Sequence, residues 1–519
     1  METEAVNDPG AAPPETSLEL AAFGVAAALV VFFVFYRFGT VPWGSGMDEM
    51  SCGYNARLLG RTLHDQYNAF LPLVPRTDDQ YKSPIFVYSA VIVERLLGIG
   101  VVPLRLVSAL YAIGSAVMLF FLLRSLTGRP VLARWMALLS VLVPSLFSYA
   151  RFAESEASCM PFYVVLALWM LRRFEVEPSQ RRAAIAGACI GLLTYAYTTA
   201  RLIAPLTLAA TCVFYFFDRR YRRHVVALGA AGALVGIPLG LFMVLHPGTL
   251  GMRYRKDMSL WVDNPTPLVV VERIVPQYFD QLASLQWLFR RGGDIWCNFG
   301  EGHLPLWLFG PLVLGIASLW HRRKEPFYRT LIALWAFSPI PVALTWGGMG
   351  GNHMSRYLHF GVIAIVVGAL GLRDYIVAAR PSRGTLALLL GAALFEAGLS
   401  LHTYFGTWAE NLQNRGGLDS DIESAMTNVF ARRKPGQPIY LPPNFFDDSG
   451  LRVAFYADMD LGDFVGSRFD AVGLHRAGSS KPGPGSLVVS TSQPSDAHLV
   501  DTSTPRPNGR TSFYISEVP

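Results

Sequence analysis

Charge is scarce in this chain: Asp, Glu, Lys and Arg together make up 16% of 519 residues, and long stretches contain none of them. An ordinary soluble domain carries about 25% charged residues. A chain that is 52% apolar, with those residues gathered into runs, falls outside that class. Cysteine is sparse as well: Cys52, Cys159, Cys189, Cys212 and Cys297 are odd in number, lack metal-like spacing, and include members inside apolar runs. A disulfide framework and a zinc site are therefore not expected. There is no GxxxxGK[ST] loop, no strand-linked GxGxxG, no GxSxG elbow and no HExxH, so nothing supports a soluble nucleotide donor. Nor is there an internal repeat of the kind that builds many transporters.

What the chain does have is about eleven apolar runs of membrane-spanning character. They are Leu20–Tyr36, Leu104–Leu123, Trp135–Tyr149, Ala157–Leu171, Ala183–Tyr197, Leu202–Phe217, Val225–Leu245, Leu304–Trp320, Leu331–Trp346, Tyr357–Leu372 and Thr385–Leu401. Several fall short of the ~20 residues that cross a hydrocarbon core, so their helices are expected to extend into flanking polar residues. The first 19 residues hold acids but no Lys or Arg; without a basic leader, the first run reads as a retained span.

Every second short loop is rich in arginine: 124, 129 and 134; 172, 173, 181 and 182; 219, 220, 222 and 223; 322 and 323 with Lys324; 373, 380 and 383. These loops are expected to face the cytoplasm. The intervening short loops hold single arginines at 151, 201 and 356. The net charge of +6 thus reports topology, and no nucleic-acid partner is expected.

Pro84–Gly98 is apolar but short and interrupted by Glu94 and Arg95, which favours a helix lying in the interface over one that spans. The resulting expectation is an all-α polytopic membrane protein with about eleven spanning helices, interfacial helices in the first outer loop, and a small C-terminal extracytoplasmic α/β domain. Residues 1–19 form a cytoplasmic tail, 20–401 the membrane domain with outer loops 37–103 and 246–303, and 402–519 the outer domain. In that domain a helix is expected over Asp419–Arg433, and strands over Pro438–Leu441, Leu451–Tyr456, Ser486–Ser490 and Thr511–Ile515.

Two short outer loops carry carboxylates. Gly46–Tyr54 (GMDEMSCGY) places Asp48 and Glu49 at the start of a helix, where an aspartate can be an N-cap, a catalyst or both. Tyr149–Glu156 (YARFAESE) places Glu154 and Glu156 at the same face, where a solvated turn is the bland reading. Together the two loops offer one carboxylate to take a proton from an acceptor hydroxyl, and others, Asp48 and Glu156 among them, to hold a divalent cation if one is used. Cations gather on that face too: Arg76 and Lys82 (RTDDQYKSP), Arg105, and Arg356 beside Tyr357 (HMSRY). Each taken singly is a snorkelling side chain; as a cluster they fit a lipid phosphate. Asp294, Asn298, His303 and His353 are outer-loop candidates by position alone.

The order of these landmarks resembles the polytopic glycosyltransferases of the C-type fold, in the branch of protein O-mannosyltransferases and lipid A aminoarabinose transferases (families 39 and 83). The elements that carry the likeness are Asp48 and Glu49 after the first span, Lys82-Ser83-Pro84 heading an interfacial helix, and Leu97-Gly98 followed by Arg105–Ser108 (RLVS). Arg151 with Glu154 or Glu156, and Arg356-Tyr357 at a late span, complete it. Two features depart from the pattern: Ser83 stands where a second proline is expected, and glutamates replace one aspartate. The resemblance implies a polyprenyl-phosphate sugar donor, inversion at the anomeric carbon, a lipid, glycan or protein acceptor, and a bacterial inner or plasma membrane location. It also implies roles for Asp48, Glu49, Glu154 and Glu156 in catalysis, and for Lys82, Arg76, Arg105, Arg356 and Tyr357 at the donor phosphate. Metal use is left open. The rival from another class is a transporter or flippase of lipid-linked sugars, which should place charge inside its helices.

Overall fold

The computed structural model describes residues 16–77, 80–98, 100–153, 156–247, 260–261, 264–289, 301–345, 354–414, 420–446, 451–465, 467–492, 497–505 and 511–519. Glu154, Asp294, Asn298 and His353 lie outside them.

The first helix, α1 (Ser17–Phe35), opens on a capping box in which the Thr16 hydroxyl accepts from the Glu19 N–H and the Glu19 carboxylate accepts from the Thr16 N–H. Next come α2 (Met47–Thr62), α3 (Pro84–Leu97) and α4 (Val101–Thr127), with a small hairpin of β1 (Arg76–Thr77) and β2 (Gln80–Tyr81) between α2 and α3. Then follow α5 (Pro130–Val141), α6 (Pro144–Ala150), α7 (Met160–Val176), α8 (Gln180–Leu192), α9 (Ala200–Phe216) and α10 (Val225–Leu245). Later apolar helices cover Phe309–His321, Pro326–Phe337, Leu358–Ala379 and Arg383–Thr403.

Each expected apolar run falls on one of these helices or helix pairs. Among the described residues, six helices are long and apolar enough to cross a membrane alone, or seven if α5 and α6, bent by 64° from each other, form one broken span. The bend sits at Pro144, whose ring and missing N–H cannot continue α5. The remaining apolar helices are shorter. Helix pairs close tightly where glycine removes a side chain: a Cβ on Gly187 of α8 would overlap the Leu228 carbonyl of α10, and one on Gly315 would overlap the Val367 carbonyl. Such backbone approach is how helices associate where burial from water no longer drives them together.

Four of the five arginine-rich loops are tied to one another. Arg322 holds Asp374 through two bonds of 2.8 and 2.9 Å, and Gln180 donates to the Arg223 carbonyl at 2.9 Å. Glu175 pairs with Arg172 and accepts from the Phe327 N–H. Glu156 lies at the opposite end of the α7 segment from Arg172 and Arg173.

Helix α3 has 14 residues, about 21 Å at 1.5 Å per residue, against about 30 Å of hydrocarbon core. It buries Phe86, Val87, Ala90 and Glu94 against the protein and exposes Ile92, Leu96 and Leu97, the two-sided pattern of a helix that lies along an interface.

The C-terminal domain is a five-stranded sheet in the order β4-β3-β5-β7-β6, from β3 (Ile439–Leu441), β4 (Leu474–Arg476), β5 (Leu487–Ser490), β6 (His498–Thr502) and β7 (Tyr514–Glu517). Strand β3 runs parallel to β4 and β5, while β7 runs antiparallel to β5 and β6. Helix Ser420–Arg432 packs Ala425, Met426 and Val429 into its core. The segment Leu451–Tyr456, expected as a strand, is a helix. Six residues are too few for the periodicity to choose, and the helical turn is what brings Val453, Ala454 and Phe455 into buried contact. Strands β4 and β6 were not foreseen; both lie at sheet edges.

Glu94 is 6% exposed, and neither carboxyl oxygen has a hydrogen-bond partner among the described residues. Burial pushes its pKa up to about 8, against the pull of Arg57 and Arg61. The folded state therefore binds this proton more tightly than the unfolded chain, and stability falls as pH rises from the ordinary value of 4.5 toward 8. Thermal unfolding of Glu94→Gln in detergent between pH 5 and 9 is expected to lose that decline, leaving the variant more stable than the native chain at pH 8. A native and a variant curve with the same slope would contradict this.

Candidate active site

Helix α2 starts at Gly46, which has no side chain to cap it; Glu49 closes the first turn instead, accepting from the Gly46 N–H at 3.4 Å. Asp48 is therefore not the cap. Its carboxylate accepts from Gln80 Nε2 at 2.9 Å and pairs with the Lys82 ammonium. The β1–β2 hairpin presents both partners, and the Lys82 N–H donates back to the Pro75 carbonyl at 2.8 Å. Lys82 is 1% exposed whereas Asp48 keeps 24% of its side chain open. The carboxylate is thus the accessible member of the pair.

Glu156 reaches the same place from the second carboxylate loop. Its Oε1 accepts from the Ser83 N–H at 3.1 Å, and the Ser83 hydroxyl donates to the Tyr195 and Ala196 carbonyls at 2.7 and 2.8 Å. Burial alone would lower the Lys82 pKa, but the Asp48 and Glu156 carboxylates overcome it and hold the ammonium above its ordinary range. No group of three His, Cys, Asp or Glu side chains forms a metal site among the described residues. A divalent cation held by Asp48 and Glu156 would have to share their field with the Lys82 charge, a poor fit for that pair.

Several neighbours were not foreseen as site residues. The Tyr197 hydroxyl donates to Ser355 Oγ at 3.1 Å. The Tyr197 hydroxyl also lies within electrostatic reach of Glu156, Asp48 and Arg356. Arg201, at the start of α9, is 9% exposed, donates to the Tyr81 carbonyl at 3.2 Å and lies within electrostatic reach of Glu156. Its signal was available, because it is one of the lone arginines in the carboxylate-side loops. Arg356 sits in the short turn Met354–Tyr357 and donates to Thr345 Oγ1 at 2.9 Å.

The other candidates sit elsewhere. Arg105 and Glu49 form a fully buried two-bond ion pair at 3.0 and 3.1 Å. Arg105 also donates to the carbonyls of Pro42 and Gly44 at 3.0 and 2.6 Å, and Glu49 accepts from the Ala153 N–H at 2.9 Å. This network is closed and offers no donor to a ligand. Arg76 lies over the Tyr67 ring, 4.2 Å from its centroid, at the edge of the hairpin. Tyr357 is buried, stacked on Phe360 at 4.4 Å, and donates to the Gln281 carbonyl at 2.8 Å. His303 is buried against Tyr357 and Met354. Arg151 caps the end of α1, donating to the carbonyls of Phe33, Tyr36 and Val41.

Removing one partner of the Arg105–Glu49 pair leaves a buried uncompensated charge, a loss of about 3–5 kcal/mol. Arg105→Met is expected to lower the yield and melting temperature of monodisperse protein, and Arg105→Met with Glu49→Met to recover part of both. Native-like melting of the single variant would show that the pair is not the anchor its geometry makes it.

No family model matches the chain, and no curated protein matches it. Among solved structures, ArnT from Cupriavidus metallidurans in the apo state is similar, with a TM-score of 0.54 and 14% identity over 96% of this chain and 98% of that one. ArnT from the same organism bound to undecaprenyl phosphate gives a TM-score of 0.53 at 14% identity, over the same shares of the two chains. At that identity the likeness is one of fold. The end-to-end coverage, membrane helices and C-terminal domain together, gives this chain the C-type polytopic fold that the ordered landmarks implied.

Proposed function

We propose that this chain is a membrane glycosyltransferase that moves a sugar from a polyprenyl-phosphate donor to a lipid, glycan or protein acceptor at the extracytoplasmic face. The observation that carries the reading is the meeting of Asp48, Lys82 and Glu156, from three separate segments, at the end of the bundle opposite the arginine-rich loops. The fold supports it, since one ArnT structure of the same fold holds undecaprenyl phosphate.

In this reading the acceptor hydroxyl attacks the anomeric carbon, the bond from that carbon to the phosphate oxygen breaks, and polyprenyl phosphate leaves with inversion. Asp48 takes the hydroxyl proton, because it is the one member of the buried pair with an open side chain. The leaving phosphate gains negative charge as its bond to the sugar breaks. Lys82, with Arg201 and Arg356 near it, compensates that charge. Glu156 orients Lys82 and the acceptor. Glu49 and Arg105 hold the first turn of α2, which carries Asp48, and Arg76 and Tyr357 shape its surroundings.

The test uses purified full-length protein with undecaprenyl-phosphate mannose, glucose, galactose and aminoarabinose, together with candidate acceptors. Mass spectrometry would read released undecaprenyl phosphate and the mass added to an acceptor. Product supports the enzyme; movement of the lipid-linked sugar across vesicles without product supports a carrier. Asp48→Asn removes the charge with little change in volume and is expected to reduce turnover by about 100-fold or more. A folded Asn variant with near-native turnover would remove Asp48 from the mechanism.

A further inference from the structure

Helix α2 is gripped on two opposite faces. At about 100° per residue, Gly53, Arg57, Arg61 and Tyr54 lie roughly 140°, 180°, 220° and 240° around the helix from Asp48. All four touch the C-terminal domain. Arg57 Nη1 donates to the Phe455 carbonyl at 2.9 Å and pairs with Asp458 at 3.0 Å, and Arg61 pairs with the same carboxylate at 2.9 Å. The Tyr54 hydroxyl donates to the Met459 carbonyl at 3.2 Å, and its ring meets Phe464 edge-on. A Cβ on Gly53 would lie 2.7 Å from the Phe455 ring, so the absent side chain is what lets that ring reach the helix. Just ahead of α2, Ser45 Oγ and the Tyr456 hydroxyl share a hydrogen bond of 2.6 Å.

These partners lie 397 to 411 residues further along the chain. A helix free to roll would swing Asp48 away from Lys82. The contacts on the far face fix the rotation, and they come from one short stretch, 455–464.

We propose that the C-terminal domain is a positioning element for the active site, with Arg57, held by Asp458 and the Phe455 carbonyl, setting the rotation of α2 and so the aim of Asp48. The proposal rests on the reading of Asp48 as the proton acceptor. Arg57 is 5% exposed and is buried on the side away from Lys82, so it acts through the helix and touches no reacting atom.

Asp458 is the practical probe. Its φ is 53°, a left-handed conformation that glycine adopts without strain, and its side chain is half exposed. Asp458→Gly therefore removes the carboxylate without disturbing the turn. The comparison is Arg432→Ala, which breaks the Arg432–Asp501 pair of 2.7 Å inside the same domain but away from α2.

Turnover would be read as release of undecaprenyl phosphate from the same four undecaprenyl-phosphate sugars. Asp458→Gly is expected to lower kcat by about tenfold with donor KM within roughly twofold, because small misplacements of a reacting group act on the chemical step. Arg432→Ala should leave both constants unchanged. A readout that needs no sugar is alkylation of Cys52, a free and fully buried thiol one turn from Asp48 on the same side of α2. Its reaction with N-ethylmaleimide, followed by peptide mass spectrometry, should quicken several-fold in Asp458→Gly and not in Arg432→Ala. An unchanged Cys52 rate, or an equal loss of kcat in Arg432→Ala, would overturn the proposal. Inactive Asp48→Asn beside fully active Asp458→Gly would overturn positioning alone, whereas active Asp48→Asn would remove the reading beneath it.

Discussion

The ion pair between Glu49 and Arg105 is fully withdrawn from solvent, and taking two charges out of water costs several kcal/mol for each ion. That cost is offset only where the remaining donors and acceptors find partners, and here they do. Arg105 spends its guanidinium on Glu49 and on the carbonyls of Pro42 and Gly44, and Glu49 uses its remaining capacity on the N–H groups of Gly46 and Ala153. The result is a knot that joins the start of α4, the loop after α1, the first turn of α2 and the second carboxylate loop. Asp48 is the neighbour of Glu49 in sequence, and Glu156 lies three residues beyond Ala153. The buried pair thus ties the first turn of α2, which carries Asp48, to the segment just ahead of Glu156.

Around that knot the charges of the site arrange themselves by simple electrostatics. A buried ammonium is costly alone, and Lys82 is tolerated because Asp48 and Glu156 both act on it. The same arrangement suits an anionic donor. A phosphate entering near Lys82 offers the lysine a new partner, and the Asp48 carboxylate is then left to interact with an acceptor hydroxyl. Arg201 and Arg356 approach from helices later in the chain, through Tyr81 and Thr345 respectively. Recruitment from distant segments gives the positive charge a shape that no single loop could supply.

This difference between local and assembled features explains what could be read from the sequence. The spans were legible because a lipid core leaves the backbone only helix or closed barrel, so apolar runs and the alternating arginines report the fold directly. Asp48, Lys82, Glu156 and Arg356 were legible as residues that share a face. The direction of each side chain was not. Arg105 and Arg201 are alike in sequence, each a single arginine near the carboxylate end of a helix, yet Arg105 is consumed by Glu49 and backbone carbonyls while Arg201 lies beside Glu156. Nothing local separates them, because the partners are set by tertiary packing. Leu451–Tyr456 failed for a related reason: a six-residue apolar run fits a strand or a helix, and its docking onto α2 decides.

Ser83 and Glu156, both singled out by the resemblance, are joined by one hydrogen bond. A proline at position 83 would have no N–H, and the donor that holds Glu156 Oε1 at 3.1 Å is the Ser83 N–H. Serine adds a hydroxyl that donates to the Tyr195 and Ala196 carbonyls, where α8 gives way to the turn before α9. A glutamate at 156 carries its carboxylate one methylene farther from the backbone than an aspartate would. That extra reach is what a carboxylate needs if it must meet a backbone donor on the α3 side while remaining in the field of Lys82. Ser83 and Glu156 are thus matched partners in one contact. The pairing ties the second carboxylate loop to the start of α3, as Glu49 and Arg105 tie it to α2, so that the loop is held from both sides.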